Sequence, residues 1–283
     1  MTNKIKIMII GGSGAYNFSN EAFGSFKDEV SVNTPYGKVK NIKLFEIDGI
    51  KGAFLSRHGA SDYSLTGPDV NYRANICAAK QLGVERILSW TGPGAINNKF
   101  KPGDLVIPDD IIDFTKTRPL TFFENSDLGF IRQNPVFCPT LQKTLLEIAK
   151  KRHKKVHKNG AYACTEGPRL ETPAEIKFFK QIGADMVGMT LVPEVFLAKE
   201  LEMCYGAICY ITNYAEGIKK MPYKKGVLFE GTLPEKEKEL VQKSLTLIPS
   251  IIKEVITKLA GTPRTCPCKD AMLRYRKKGL FKF

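Results

Sequence analysis

Short runs of apolar, β-branched residues alternate along this chain with segments whose apolar residues recur at helical spacing. The predicted strands lie near residues 4–10, 41–46, 51–56, 86–91, 104–113, 159–165, 185–189 and 206–213. The predicted helices lie near residues 71–82, 138–152, 173–182, 193–203 and 234–260. Because no internal repeat or low-complexity linker divides this pattern, we predict an α/β fold, a single domain with a central mixed β-sheet flanked by helices.

The C-terminal segment differs in composition from the rest of the chain. From Arg264 onward it has seven basic residues against one acidic residue, a local charge of +6. We therefore predict a domain over residues 1–262 and a basic C-terminal extension over residues 263–283. A second basic run lies at residues 150–158, where it follows a helical pattern and fits a solvated helix end.

The formal net charge of +14 suits an anionic substrate, a polyanion or simply a charged surface. Few aromatic residues are interleaved with the basic runs, so we do not expect nucleic acid as a partner. A basic nucleic-acid-binding protein on a vestigial enzyme fold remains the alternative from another functional class.

No apolar run approaches the roughly 18 residues that a membrane span needs, so we do not expect membrane insertion. The apolar segment Lys4–Ile10 leads directly into Gly11 and lacks the features of a signal peptide. We interpret it as a buried first strand and expect the protein to be cytoplasmic.

Seven cysteines are scattered through the chain without a pair of CxxC motifs, which argues against a zinc site. No metal is therefore expected. Cys266-Pro267-Cys268 forms a CxC pair within the predicted extension, and either a strained redox disulfide or two free thiols would suit it. The other five lie in apolar contexts and read as small core residues: Cys77, Cys138, Cys164, Cys204 and Cys209.

Polar and glycine residues follow several predicted strands at their carboxyl ends, where open α/β sheets bind ligands. The turn Gly11-Gly12-Ser13-Gly14 follows the first strand, Arg57-His58 follows a later one, and Thr91-Gly92 ends another. Backbone amides of a glycine turn can approach an anion, and an arginine can hold a phosphate through two hydrogen bonds. The glycine turn matches neither the dinucleotide fingerprint nor a P-loop, and only the combination predicts an anion pocket.

The chain resembles the family of trimeric purine nucleoside phosphorylases and methylthioadenosine phosphorylases from Ile7 to about Lys258. The resemblance implies a nucleoside phosphorylase-like fold, a homotrimer, and inorganic phosphate as co-substrate with no other cofactor. The matching motifs are GGSG at 11–14, RHG at 57–59, NYRAN at 71–75, PGD at 102–104, FCP at 137–139, EGPRLETPAE at 166–175 and GADMVGMTLVPEVFLAKE at 183–200.

The resemblance also implies roles for individual residues, and Asn213, Glu171 and His58 are the expected catalytic set. Phe130 is expected to approach the active site of a neighbouring subunit. The remaining substrate contacts are Met189 against the ribose and Leu170, Glu171 and Asn213 around the base. The expected phosphate-binding residues are Ser13, Arg57, His58, Thr91, Gly92 and Thr190.

The type of base follows from hydrogen-bond chemistry at two positions. A 6-oxopurine presents acceptors at N7 and O6 and a donor at N1, so the Asn213 amide can donate while Glu171 accepts. The adenosine-type members of the family carry Asp where this chain has Asn213. We therefore predict purine salvage by phosphorolysis of inosine or guanosine to the free base and ribose 1-phosphate.

The sequence is compatible with either a hydroxyl or a methylthio group at the 5′ carbon of the nucleoside. The loop after His58 lacks a second histidine that the family commonly carries, and the segment Met221–Glu230 is a further candidate for lining this end. Val227 and Leu228 would suit a methylthio group. The alternatives are an S-methyl-5′-thioinosine or S-methyl-5′-thioadenosine phosphorylase, and a nucleosidase that uses water instead of phosphate.

Overall fold

The computed structural model describes residues 5–59, 63–220 and 225–280 and confirms the mixed α/β fold. Strands that were expected in one sheet divide between two. The strands are β1 (Ile7–Gly11), β2 (Ser25–Thr34), β3 (Gly37–Ile47), β4 (Ile50–Ser56), β5 (Arg86–Thr91), β6 (Gly94–Ala95), β7 (Leu105–Val106), β8 (Asp110–Phe114), β9 (Val156–His157), β10 (Ala161–Thr165), β11 (Met186–Gly188), β12 (Cys204–Tyr210) and β13 (Asn213–Tyr214).

The five predicted helices are confirmed to within a few residues at each end, and two short helices, at residues 229–232 and 273–276, were not predicted. Thr172 caps one of the predicted helices, and the reciprocal bonds between Thr172 and Glu175 form a capping box. The helices are α1 (Tyr72–Gln81), α2 (Pro139–Arg152), α3 (Pro173–Gln181), α4 (Glu194–Glu200), α5 (Phe229–Thr232), α6 (Glu235–Leu259) and α7 (Leu273–Arg276).

The larger sheet has eight strands in the order β2-β3-β4-β1-β5-β12-β7-β9, and its central strands β4, β1, β5 and β12 run parallel. The smaller sheet has five strands in the order β13-β6-β11-β10-β8. The carboxyl ends of β1, β4 and β5 therefore lie side by side. This edge carries the glycine turn, Arg57 and Thr91.

The division into two sheets explains why two predicted strands are interrupted. The segment 104–113 contains Pro108, which has no amide hydrogen for a sheet, so β7 pairs in the larger sheet and β8 in the smaller. The segment 206–213 likewise continues from β12 in the larger sheet to β13 in the smaller. Strand β2 was not predicted because its residues are mostly exposed and lack an apolar run.

The C-terminal extension is not a free tail. Met272 and Tyr275 are buried, the Arg264 guanidinium donates to the Glu202 carbonyl at 2.9 Å, and the Met272 amide donates to the Glu202 carboxylate at 3.0 Å. The described part of the segment 263–283 therefore packs on the domain despite its basic composition.

Within the described residues, no helix combines the length and apolar character that crossing a membrane requires.

Candidate active site

The glycine turn after β1 lies against the neighbouring strand ends. A Cβ atom on Gly12 would lie 2.4 Å from the Trp90 carbonyl oxygen, 3.0 Å from Arg57 Nη1 and 3.3 Å from Thr91 Cα. The Arg57 amide also donates to the Gly11 carbonyl at 2.9 Å. Only glycine fits at position 12, and its lack of a side chain brings the turn, the guanidinium and Thr91 to one place.

Ser13 is fixed in this turn through its backbone carbonyl. The indole nitrogen of Trp90 donates to that carbonyl at 3.2 Å, and the Tyr210 hydroxyl donates to it at 3.1 Å. These two bonds anchor the turn to β5 and β12. The structure thus places Ser13 beside the other predicted phosphate-binding residues.

The guanidinium of Arg57 is fully buried and paired with Glu194, the first residue of α4. Arg57 Nε and Nη2 donate to the Glu194 carboxylate at 2.8 and 2.7 Å, and Nη2 also donates to Ser89 Oγ at 2.6 Å. Nη1 makes only a long bond of 3.4 Å to the Trp90 carbonyl. Because of these bonds, Arg57 can offer an anion one end of its guanidinium rather than the bidentate face that was expected.

His58 follows Arg57 and has its ring in a defined orientation. Its Nδ1 lies 2.8 Å from the Leu65 carbonyl, an acceptor, so Nδ1 carries the proton. Its Nε2 is buried and has no hydrogen-bond partner among the described residues. Burial, with the Arg57 charge second, lowers the pKa of His58 to about 4, so the ring is neutral at pH 7 and Nε2 presents a lone pair.

The hydroxyls of Thr91 and Thr190 lie 3.0 Å apart, and both residues are buried. Thr91 ends β5, and Thr190 follows β11 of the smaller sheet, so this contact joins the two sheets at the pocket. A Cβ atom on Gly92 would lie 2.6 Å from Thr212 Cγ2, which leaves its backbone close to the same edge.

A cavity of about 470 Å³ lies beside the ends of β8 and β10. Glu171 lines it and accepts a hydrogen bond of 2.5 Å from the Thr165 hydroxyl. Leu170 precedes Glu171 and is partly exposed. Met189 lies next to the wall of this cavity, because a Cβ atom on Gly167 would meet its sulfur at 2.5 Å.

Asn213 lies at the start of β13, where it pairs with Gly94. Its amide nitrogen donates to the Tyr214 carbonyl at 2.8 Å, and its amide oxygen accepts from the Thr212 hydroxyl at 2.7 Å. One amide hydrogen of Asn213 remains for a ligand.

Phe130 does not join the other predicted residues within the chain. It is 81% exposed, and its backbone is held by the Tyr275 hydroxyl, 3.1 Å from the amide nitrogen and 3.3 Å from the carbonyl oxygen. The ring is therefore presented to solvent on a backbone that the C-terminal segment fixes.

Two buried charged residues of this region were not predicted. Glu194 compensates the charge of Arg57, and Arg118 donates to the carbonyls of Met189 at 2.7 Å and Glu166 at 2.7 Å. Arg118 thereby fixes the chain on both sides of the Glu171 cavity. Nothing in the local spacing of either residue indicated its partner.

Four cysteines that are far apart in the sequence lie together in the structure. The thiols of Cys138, Cys204, Cys266 and Cys268 come together, with their sulfur atoms all within 4.8 Å of one another. Cys138 and Cys204 were expected to be small core residues, and both are buried in the core. No metal site was expected, because the sequence has no pair of CxxC motifs. Residues distant in the sequence supply the cluster, so the spacing rule could not detect it.

The chain is similar in sequence to known phosphorylases. The profile of the phosphorylase superfamily matches residues 6–256. A protein of Dictyoglomus turgidum named probable 6-oxopurine nucleoside phosphorylase is 45% identical over 280 residues, which cover 98% of this chain and 100% of that protein. A probable S-methyl-5′-thioinosine phosphorylase of Thermodesulfovibrio yellowstonii is 42% identical, with 96% and 98% covered.

The fold is also similar to solved structures. The crystal structure of a methylthioadenosine phosphorylase from an antarctic soil metagenomic library matches with a TM-score of 0.82 and 32% sequence identity. The match covers 95% of this chain and 91% of that one.

Proposed function

The chain belongs to the phosphorylase superfamily, and from this premise we propose that it is a 6-oxopurine nucleoside phosphorylase. It would cleave inosine or guanosine with inorganic phosphate, giving the free base and ribose 1-phosphate for purine salvage. The relatives named for this activity support the proposal.

The single observation that carries the proposal is the buried Nε2 of His58, next to Arg57 in the chain, which has no hydrogen-bond partner in the part of the protein that the structure describes. The phosphate dianion near neutral pH keeps one P–OH group, which can donate to a neutral imidazole nitrogen. Arg57 Nη1 and the hydroxyls of Thr91 and Thr190 would donate to the charged oxygens. A nucleosidase that uses water would have no need of this donor and acceptor set.

Phosphorolysis needs little covalent help from the protein. A phosphate oxygen attacks C1′ as the glycosidic bond breaks, and the dianion stabilises the positive charge that develops on the ribose. The departing base gains negative charge at N7 and O6, which the free amide hydrogen of Asn213 would stabilise by electrostatic preorganisation. Glu171 would accept the N1–H of the base.

We propose a homotrimer in which Phe130 of one subunit reaches the nucleoside site of the next. The 81% exposed ring supports this arrangement, because an aromatic side chain so exposed on a fixed backbone suits a partner surface. Light scattering of the purified protein tests the stoichiometry.

A second candidate differs only in the 5′ group of the substrate. Val227 and Leu228 are apolar and exposed, which favours a methylthio group over a hydroxyl if they close over the pocket. They belong to the segment Met221–Glu230, of which residues 221–224 lie outside the described residues. The named activity of the Thermodesulfovibrio relative supports this candidate.

Base release measured with and without phosphate tests the proposal. We expect cleavage of inosine and guanosine only with phosphate, together with ribose 1-phosphate as product. Equal cleavage in phosphate-free buffer would assign a nucleosidase instead. Running 5′-methylthioinosine and 5′-methylthioadenosine beside them decides between the two candidate functions through the ratio of kcat/KM values.

A further inference from the structure

Four cysteine side chains from three separate segments meet at one buried point. Cys138 precedes α2, Cys204 begins β12, and Cys266 and Cys268 come from the C-terminal segment. All four are buried, and each can offer one sulfur atom. The sulfur atoms of Cys204 and Cys266 are 3.3 Å apart, and no pair in the cluster exceeds 4.8 Å.

We propose that this tetracysteine cluster is a structural zinc site, which fastens the C-terminal segment to the α/β domain. It lies apart from the residues assigned to phosphate and base, and the proposal is independent of the substrate. Four protein sulfur ligands complete a tetrahedral shell, so the site has no open position for a water or substrate and serves stability rather than chemistry.

The separations of the sulfur atoms fit a metal better than disulfides. Zinc binds thiolate sulfur at about 2.3 Å, so the edges of a regular ZnS₄ tetrahedron are about 3.8 Å long. The observed separations bracket that length. A disulfide needs about 2.05 Å within each bonded pair and places no requirement on the distance between pairs. One metal ion bound by all four cysteines requires the four sulfur atoms to lie close together, whereas two separate disulfides do not.

The surroundings favour thiolates. Cys138 is the N-cap residue of α2, a helix of 14 residues, and the positive end of the helix dipole favours a negative sulfur at this position. Lys199 interacts electrostatically with Cys268 and donates to the Pro135 carbonyl at 2.5 Å. Four thiolates and Zn²⁺ carry a net charge of −2, and this ammonium offsets part of it.

The site would connect elements that are distant in the sequence. It joins the start of β12, the start of α2 and the segment that also supplies Tyr275, which holds the backbone of Phe130. Because a bound metal stabilises only the folded arrangement of its ligands, its loss should release the C-terminal segment first.

The first test uses the intact protein purified with reductant and without chelator. We expect elemental analysis to find about one zinc per chain, and all seven cysteines to react with a thiol reagent after denaturation in chelator. Replacement of zinc by Co²⁺ should give the intense visible bands of a tetrahedral tetrathiolate. Absence of zinc would overturn the proposal. Seven reactive thiols without zinc would mean four free cysteines in the cluster, and only three reactive thiols would mean that the cluster forms two disulfides.

The second test compares variants. The double variant Cys266→Ser, Cys268→Ser should lose zinc by about tenfold or more and show a lower Tm, whereas the matched control Cys77→Ser, a buried cysteine of α1 outside the cluster, should keep its zinc. Equal zinc content in the double variant and the control would contradict the proposal. If the double variant does not fold, the metal and thiol counts of the unmodified protein decide alone.

Discussion

The guanidinium of Arg57 and the carboxylate of Glu194 form a paired set of hydrogen bonds, 2.8 Å from Nε and 2.7 Å from Nη2, with both side chains fully buried. The Tyr205 hydroxyl donates to the same carboxylate. The charge of Arg57 is thus balanced inside the protein, so in the proposed pocket a phosphate would meet an oriented donor rather than a free cation. In that proposal Glu194 is a positioning residue, because it fixes the Arg57 guanidinium.

We predict that Glu194→Gln destabilises the fold by about 3–5 kcal/mol, because it leaves the Arg57 charge buried without its counter-ion. The KM for phosphate should rise about tenfold, since Nη1 loses its fixed direction. Chemical denaturation and initial rates at varied phosphate measure the two effects. The control Glu254→Gln breaks the exposed pair with Arg152, 2.6 Å long, and should cost less than about 1 kcal/mol. Equal losses in the two variants would contradict the role given to Glu194.

The second prediction concerns the pH dependence of stability. The folded-state pKa of His58 is about 4, against an ordinary value of 6.5. Between these values the unfolded chain binds a proton that the folded chain does not, so stability falls as the pH drops from 6.5 to 4. The loss from His58 should amount to about 3 kcal/mol.

Unfolding free energies measured across this pH range check the prediction. The variant His58→Gln should have a shallower slope than the unmodified protein, whereas the control His153→Gln should leave the contribution of His58 in place. An unchanged slope in His58→Gln would show that the buried imidazole does not resist protonation.

The sequence was sufficient to locate the strand ends, because β1, β4 and β5 are short apolar runs bounded by polar or glycine residues. Arg57 and His58 directly follow β4, and Thr91 is the last residue of β5, so the strand pattern was also enough to locate these three side chains at that edge of the sheet. The interruption of a predicted strand was harder to predict from the sequence. Pro108 indicates a break within residues 104–113, but no local feature indicates that β7 and β8 enter different sheets.

The partners of buried groups could not be predicted, because tertiary packing alone brings them together. Glu194 lies 137 positions from Arg57, and no periodicity relates the two. The four clustered cysteines are likewise spread from α2 to the C-terminal segment, so the spacing of one pair carries no information about the others.

The third prediction is a change in base preference. Asn213→Asp replaces the free amide donor by an acceptor, which should disfavour the N7 and O6 acceptors of a 6-oxopurine and favour the amino group of adenine. We expect the ratio of kcat/KM for inosine to that for adenosine to fall at least about tenfold. The control Asn159→Asp adds the same charge at an exposed position before β10. A ratio that moves equally in both variants would remove Asn213 from the base contacts.

The fourth prediction links the C-terminal segment to nucleoside binding. The Tyr275 hydroxyl, which belongs to the C-terminal segment, bonds to both the amide and the carbonyl of Phe130. Tyr275→Phe removes these bonds while keeping the buried ring. If Phe130 enters the nucleoside site of a neighbouring subunit, its backbone must be held in place, so the KM for inosine should rise severalfold while the KM for phosphate stays constant.

Steady-state kinetics with each substrate varied separately measures this difference. Phe130→Ala is the matched comparison, because it removes the ring but leaves Tyr275 in place, and it should also raise only the KM for inosine. If Tyr275 has only a structural role, Tyr275→Phe should lower the free energy of unfolding by about 1–2 kcal/mol, the contribution of one or two hydrogen bonds, and lower Tm accordingly. Both KM values would then stay unchanged. That outcome would show that Tyr275 serves stability alone and would contradict the prediction.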